Sequence, residues 1–317
     1  MDIRAVVYPL LVLAGGCCYG ILSTIVKLAY EQGYTFADVV VSQYFSGWVI
    51  LGIFLLILLT LRRNRTLTPS HLRTPLLHRV VILLITGAVT CSVCLFYYLS
   101  LETTPASVAV VLLFQFTWIG IILESIAERR LPSRTSVIAV AILLIGTLFA
   151  GGVLGTEISL TPIGVCAGLL CAFCYAVFIF LSGRIEPQMH PVHRSFWIVT
   201  CALFVLLCVL SPEYFTSGTV ISGIWIYGAA LGLFGACLPV LLYAVGTPKI
   251  STGAATILSS SELPVAIITS VIVLHEAVSW IQWFGVLCIF AGIAYPHLRS
   301  VGKEKKKKIP KKNLRVK

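Results

Sequence analysis

The chain has 317 residues, 58% of them apolar and only 11% charged, with a mean hydropathy of +1.00. A soluble domain carries about 25% charged residues, so this composition excludes an ordinary soluble globular protein and points to the membrane class. The net charge of +11 is mostly a property of the C-terminus, where ten Lys or Arg and one acid, Glu304, follow from Arg299 onward.

Ten apolar runs follow in order: Ala5–Leu28, Phe36–Leu61, Val80–Leu101, Ala106–Ala127, Thr135–Val153, Pro162–Ser182, Phe196–Leu210, Gly223–Gly246, Ile250–Leu274 and Trp280–His297. Their lengths suit transmembrane helices, and the short seventh run is expected to extend toward Pro191. Only Asp2 and Arg4 precede the first run, which is full length and reads as an anchor and not a removed signal segment. The expected fold is an all-α integral membrane protein of ten transmembrane helices.

Charge sets an orientation. With the N-terminus inside, the cytoplasmic connections hold Arg62, Arg63, Arg65, Arg73, Arg79, Arg129, Arg130, Arg134, Arg184, Arg194 and Lys249. The external ones hold Glu31, Asp38, Glu102, Glu157, Glu213 and Glu276, with Lys27 the one basic residue among them. Both termini are therefore expected in the cytoplasm of a multi-pass protein of the cell membrane, with a bacterial inner membrane as the expected setting. The polybasic tail, 299–317, reads as a disordered segment against anionic headgroups in preference to a nucleic-acid binder.

All eleven Cys fall in the apolar runs, where they act as small hydrophobes. Cys91–Cys94 and Cys171–Cys174 form CxxC pairs, but no His or acid joins them at ligand spacing, so packing is favoured over a metal or redox site. No cofactor is expected.

A division near Gly155 yields two halves of five runs each. Cys18-Tyr19 in the first run matches Cys174-Tyr175 in the sixth, and Thr103-Thr104-Pro105-Ala106-Ser107 before the fourth resembles Thr247-Pro248-Lys249-Ile250-Ser251 before the ninth. Glu128 follows the fourth run as Glu276 follows the ninth. Because five is odd, matching segments enter the membrane from opposite sides, and inverted repeats of this kind are characteristic of secondary transporters with a site near the midplane.

These residues also carry a resemblance. The chain resembles a ten-helix transporter of the drug/metabolite transporter superfamily with two EamA-type repeats, here 5–154 and 158–298. The resemblance rests on Pro264 inside the penultimate helix, Glu276 at its end, and Gly285 and Gly292 in the last helix. In the first repeat Glu128 matches, but Thr117-Trp118 stands where the proline is expected, leaving the fourth run without the residue that would kink it. The resemblance implies a basket of helices around a central cavity formed by the first four helices of each repeat, with the fifth and tenth as supports.

Ser259-Ser260-Ser261-Glu262-Leu263-Pro264 lies inside the ninth run. A carboxylate at that depth costs several kcal/mol unless it faces protein or water, so Glu262 is a functional-site candidate. Pro264 cannot donate to the Ser260 carbonyl and should kink the helix there. Thr252, Ala255, Ser259, Glu262, Ala266 and Thr269 share one small, polar helical face, read as a cavity wall in preference to a close-packing stripe. Glu262 is a candidate to hold a substrate ammonium or to carry a coupling proton, since burial favours the neutral form of a carboxyl; a protonated structural role is the alternative.

Gln115 is placed by the repeat as a partner for Glu262, with an interhelical hydrogen bond as the other reading. Trp118, deep in the fourth run, is a better cavity candidate than Trp280 or Trp283. Gln43, Tyr97, Tyr175, Tyr243 and Tyr19 complete the candidate site, since tyrosine offers both a π face and a hydroxyl. Glu124 is read as an ion-pair partner of Arg129 or Arg130. Pro239 should kink the eighth run at a depth like that of Pro264, which suits a gate. Gly16/Gly20, Gly164/Gly168 and Gly228/Gly232 are small-residue packing motifs.

The function expected is secondary active transport of an amino acid, metabolite or drug, by alternating access and outward, with protons and membrane lipids as further partners. A proton-independent permease is the alternative. An intramembrane enzyme is remote because the six His all lie in loops or at run ends, and no P-loop is present for direct ATP use.

Overall fold

The computed structural model describes residues 3–62, 75–104, 106–152, 161–210 and 223–308. Arg63, Arg65, Arg73, Pro105, Glu157, Glu213 and the tail beyond 308 lie outside the described residues. Regular structure among the described residues is entirely helical. The elements are α1 (Ile3–Glu31), α2 (Phe36–Arg62), α3 (Leu76–Thr103), α4 (Ala106–Leu113), α5 (Phe116–Glu128), α6 (Arg134–Ala150), α7 (Pro162–Arg184) and α8 (Pro191–Val209). There follow α9 (Ile224–Leu231), a π-helical turn (Gly232–Cys237), α10 (Leu238–Gly246), a short turn (Thr247–Lys249), α11 (Thr252–Ser259), α12 (Glu262–Val273) and α13 (Trp280–Lys308).

Among the described residues, eight helical stretches are long and apolar enough to cross a membrane. Two further apolar helices, Arg134–Ala150 and Trp280–Pro296, are shorter. The 17 residues of α6 rise about 25 Å at 1.5 Å each, a little less than a hydrocarbon core of about 30 Å. Helix starts follow from the chain. Thr161 caps α7 by accepting from the Gly164 amide, with Pro162 in the first turn, and Ser251 caps α11 by accepting from the Ala254 amide.

The halves are interlocked. α1 lies against α10, α11 and α12, and α7 lies against α3, α4 and α5, so the first helix of each half is lodged in the other. α6 and α13 pair with each other at the periphery. The outward surface is apolar, as lipid-facing helices require: Leu56, Phe204 and Leu287 are each more than 60% exposed.

Two of the spans are broken at the same relative place. The ninth breaks at Ser260-Ser261, where the amides of Ser260 and Ser261 reach back only three residues, to the carbonyls of Ile257 and Leu258. Pro264 stands in the first turn of α12, one turn past the break, as its missing donor demands. The fourth span breaks at Phe114-Gln115 with no proline near. The Gln115 amide reaches back to Leu112, and both the amide and the hydroxyl of Thr117 bond the Phe114 carbonyl. A threonine hydroxyl that competes for a backbone carbonyl replaces proline as the helix breaker here.

The eighth span carries the π turn immediately before Pro239, which occupies the first turn of α10; the proline's missing donor is absorbed by that irregular turn. Arg194, expected in a cytoplasmic connection, is instead 1% exposed in the first turn of α8, where it donates to the carbonyls of Ile185 (2.6 Å) and Ala244. Arg299 to Lys308, expected to be disordered, continues α13 as helix. Extending an existing helix needs no new nucleus, and Lys and Glu are good helix formers.

Gly16 and Gly20 show why α1 needs glycine. A Cβ on Gly16 would stand 2.8 Å from the Ser259 carbonyl oxygen, and one on Gly20 would stand 2.5 Å from that of Glu262. The two glycines bring α1 onto the break itself. Gly20→Val is expected to destabilise the purified protein by about 1–3 kcal/mol through overpacking, read as a lower melting temperature in detergent; wild-type melting would refute this packing.

Candidate functional site

A cavity of about 450 Å³ lies between the two halves. Its wall draws on α1, α2, α3, α4, α7, α12 and the π turn, and its mouth is marked by Lys27, Glu276 and Gln282. Tyr19 and Lys27 both line it, eight residues apart on α1, so it extends about 12 Å along that helix.

Glu262 projects into the inner end of this cavity. It opens α12 and accepts a hydrogen bond from the Tyr175 hydroxyl at 3.2 Å. Behind it lies a run of hydroxyls. Tyr175 and Tyr243 oxygens are 3.3 Å apart, Tyr243 donates to Ser259 at 2.9 Å, and Ser259 donates to the Ala255 carbonyl at 2.8 Å. Each hydroxyl has one proton to give, so Tyr175 spends its proton on Glu262. Tyr19 meets Tyr175 edge-on, with ring centroids 5.8 Å apart at 88°.

Of the candidate residues, Glu262, Tyr175, Tyr19 and Tyr97 line the cavity. Tyr243 and Ser259 stand behind them as buried supports. Pro264 is buried within α12, and Pro239 is buried beside the π turn, whose Gly235 reaches the cavity wall. Gln43 is fully buried close behind Gly235, with no hydrogen bond to its amide among the described residues.

Gln115 and Trp118 are elsewhere. Gln115 donates to the Val111 carbonyl at 3.0 Å and accepts from the Trp118 indole at 2.8 Å. Trp118 is 40% exposed on the outer surface. Beside the break of the fourth span, Leu113 and Phe114 line the cavity wall and Gln115 and Trp118 do not. The three serines also differ from expectation. Ser259, Ser260 and Ser261 are all buried and donate to the carbonyls of Ala255, Thr256 and Leu13. The polar face of the ninth span therefore splits: Ser259 packs, Glu262 and Ala266 line the cavity, and Thr269 meets Thr24 of α1 at 2.8 Å, while Ser270 beside it reaches the cavity wall.

Several wall residues were not singled out from sequence: Tyr30, Phe178, Thr24 and Ser270 among them. A signal was present on α1, where Tyr19, Ser23, Val26, Lys27 and Tyr30 recur at helical spacing as a polar stripe in an apolar helix.

At the other end of the ninth span the two halves are tied together beside a separate, smaller cavity of about 180 Å³, lined by Glu128, Arg184, Thr247 and Thr252 among others. Glu124 accepts from the Gly253 amide at 2.7 Å, so a carboxylate of the first half caps a helix of the second and meets its positive dipole end. Arg184 donates to the Thr252 hydroxyl at 2.8 Å and lies 3.9 Å from Glu128, which also pairs with Arg130. Glu124 does pair with a nearby arginine, Arg130 at 3.7 Å. At the mouth, Lys27 pairs with Glu276 at 2.7 Å. The two inter-half pairs correspond: each joins a cation near the end of α1 or α7 to the acid following the broken span of the other half. The ninth span runs from Thr252 to just short of Glu276, so the pairs stand at opposite ends.

Among the described residues no group of three or more His, Cys, Asp or Glu could hold a metal. The CxxC thiols serve the backbone and a neighbour: Cys91 donates to Ala88, Cys171 to Val93, and Cys94 lies 3.7 Å from the Tyr44 hydroxyl.

Helical spans, interlocked halves and one central cavity define a multi-pass membrane protein organised around a solute-sized chamber. The chain belongs to the EamA-like transporter family, whose model matches residues 7–152 and 162–295. Its fold is similar to that of a solved crystal structure at TM-score 0.69 and 19% identity, covering 92% of this chain and 98% of the other. No curated protein sequence matches.

The hydrogen bond from Lys27 holds the Glu276 carboxyl below its ordinary value of 4.5. A depressed value means the pair's stabilisation is complete above the unfolded-state value and disappears as pH falls through the folded one. The melting difference between wild type and Glu276→Gln should therefore be present at neutral pH and fade as pH falls below the ordinary Glu value of 4.5; a difference undiminished in strong acid would refute the pairing.

Proposed function

We propose that this protein is a secondary carrier that moves a small organic solute outward across the cell membrane by alternating access, in exchange for protons. In this reading ten helices cross the membrane, α6 and α13 are the fifth and tenth, and the halves are inverted repeats with both termini inside. The observation that carries it is a cavity at the junction of the halves that reaches the Lys27–Glu276 end, while at the Arg184–Glu128 end contacts between the halves stand between it and a separate cavity of about 180 Å³. Breaking the Glu124–Gly253 cap and the Arg184 contacts would open that end, while closing across Lys27 and Glu276 would seal the mouth. Because α1 and α7 are exchanged between the halves, one rocking movement would serve both ends.

Glu262 is the one acid within the inner cavity wall, and an unpaired carboxylate there is costly. Its proton is the coupling ion in this reading. Purified protein in proteoliposomes should move a solute found by screening export from overproducing cells, and an imposed pH gradient should accelerate that movement. Glu262→Gln should abolish the response to the gradient while leaving melting behaviour intact. A variant that responds as wild type does would refute the proton role and favour the facilitative permease.

Alternation has its own test. Cysteines at Lys27 and Glu276, joined by a bifunctional thiol reagent, should hold the mouth closed and stop flux, with reagent-treated wild type as control. Undiminished flux in the cross-linked protein would refute movement at this mouth.

A further inference from the structure

The chemistry of the cavity wall narrows the solute class, an inference that rests on the carrier reading for its transport consequences but not for binding. Lys27, Glu262 and Glu276 are the Lys, Arg, Asp or Glu side chains in the wall. Lys27 is bound to Glu276 at the mouth, which leaves Glu262 as the unbalanced charge, about 12 Å further along α1. No basic side chain accompanies it at that depth. The rings of Tyr19, Tyr30, Tyr44, Tyr97, Tyr98 and Tyr175 line the path. Tyr30 contacts Tyr98, with centroids 6.3 Å apart, and Tyr98 contacts Tyr97 at 6.0 Å, so the rings continue from the region of Lys27 into the cavity.

An anionic group has little to meet at the inner end. A broken helix often offers unpaired amides to an anion, but here the amides of Ser260 and Ser261 are bonded to Ile257 and Leu258. The serine hydroxyls are spent on carbonyls. The Tyr175 proton goes to Glu262. What remains is a carboxylate oxygen, the negative faces of aromatic rings and the neutral hydroxyls of Tyr19 and Tyr97, and of these the carboxylate and the ring faces attract a desolvated cation. Its volume of about 450 Å³ falls in the range of roughly 300–1,000 Å³ that suits drug-sized ligands.

We propose that the cavity selects a monovalent organic cation with an aromatic or bulky apolar body, its charge against Glu262 and its body among the tyrosine rings. Anions are rejected, and zwitterions are disfavoured because the one basic side chain in the wall, Lys27, is already paired with Glu276 and neutral hydroxyls alone must face their carboxylate. A cation and a proton then compete for the same carboxylate, and exchange between them follows from the site without a second coupling residue.

The test uses the full-length purified protein with three para-substituted biaryls of similar shape: cationic N-methyl-4-phenylpyridinium, neutral 4-phenylpyridine and anionic biphenyl-4-carboxylate. The cation should raise the melting temperature in a saturable way at slightly alkaline pH, and the other two should not. Glu262→Gln should lose this shift and Glu262→Asp should keep part of it. Should both fail to fold, Tyr97→Phe should bind the cation as wild type does while Tyr97→Leu binds about tenfold more weakly, because the ring face and not the hydroxyl is at work. Equal shifts from the neutral or anionic analogue, no shift from the cation in folded protein, or equal binding by Tyr97→Phe and Tyr97→Leu would overturn the assignment. Binding of the cation without flux in proteoliposomes would support the assignment and count against the carrier reading.

Discussion

A carboxylate held without a cation among apolar helices is the constraint on which the rest of the structure depends. Glu262 receives one hydrogen bond, from Tyr175, and otherwise faces open volume. In a dry seam an ionised group in that state would be destabilised by several kcal/mol. The cavity is therefore what makes the residue tolerable. The surrounding groups keep the wall polar at that one place: Tyr243 and Ser259 hold Tyr175, and the three serines satisfy backbone carbonyls instead of competing for the acid.

The break beneath Glu262 and the glycines of α1 are two sides of one requirement. A span that changes direction in hydrocarbon must have its loosened backbone covered by protein. Gly16 and Gly20 let α1 cover it, and Ser261 donates to the Leu13 carbonyl across the same contact. Thr24 and Thr269 continue the seam at 2.8 Å. Because α1 belongs to the first half and the broken span to the second, the helix that shields the site is also the one that ties the halves together. Movement of one half against the other therefore moves the wall of the cavity with it.

Much of this was legible in the chain. Ten apolar runs each became a helix or a broken helical span, and Glu262 lines a cavity as its depth implied. The repeat matched Tyr19 to Tyr175, and the structure adds that the two rings meet, with centroids 5.8 Å apart. What the sequence hid were choices that depend on partners. Gln115 and Trp118 read as cavity residues from their depth and their place in the repeat; the structure breaks the span beside them, where the Thr117 hydroxyl bonds the Phe114 carbonyl, and nothing local distinguishes such a threonine from one bonded to its own turn. The serines beside Glu262 read as site groups because a hydroxyl near an acid in sequence is easily mistaken for one near it in space. Glu124 reads as one end of a local ion pair, which it is, but its stronger role as cap of α11 depends on a contact 129 residues away. Arg194 reads as a loop cation because its two carbonyl acceptors come from distant helix ends.

The two halves are alike in what bends and unlike in what carries charge. Both broken spans reach back three residues at the break, both are followed by an acid, and both acids meet a cation near the end of the other half's first helix. Where the second half has Glu262 and Pro264, however, the first has Phe116 and Trp118, one buried against Tyr175 with ring centroids 4.6 Å apart and the other turned outward. A second carboxylate at the matching place would put two like charges in one apolar chamber, which raises the cost of ionising either. An aromatic ring there instead supports the tyrosine that serves the single acid. Shared backbone geometry gives the halves related ways to bend, and their difference at one position confines the charge to a single site between them.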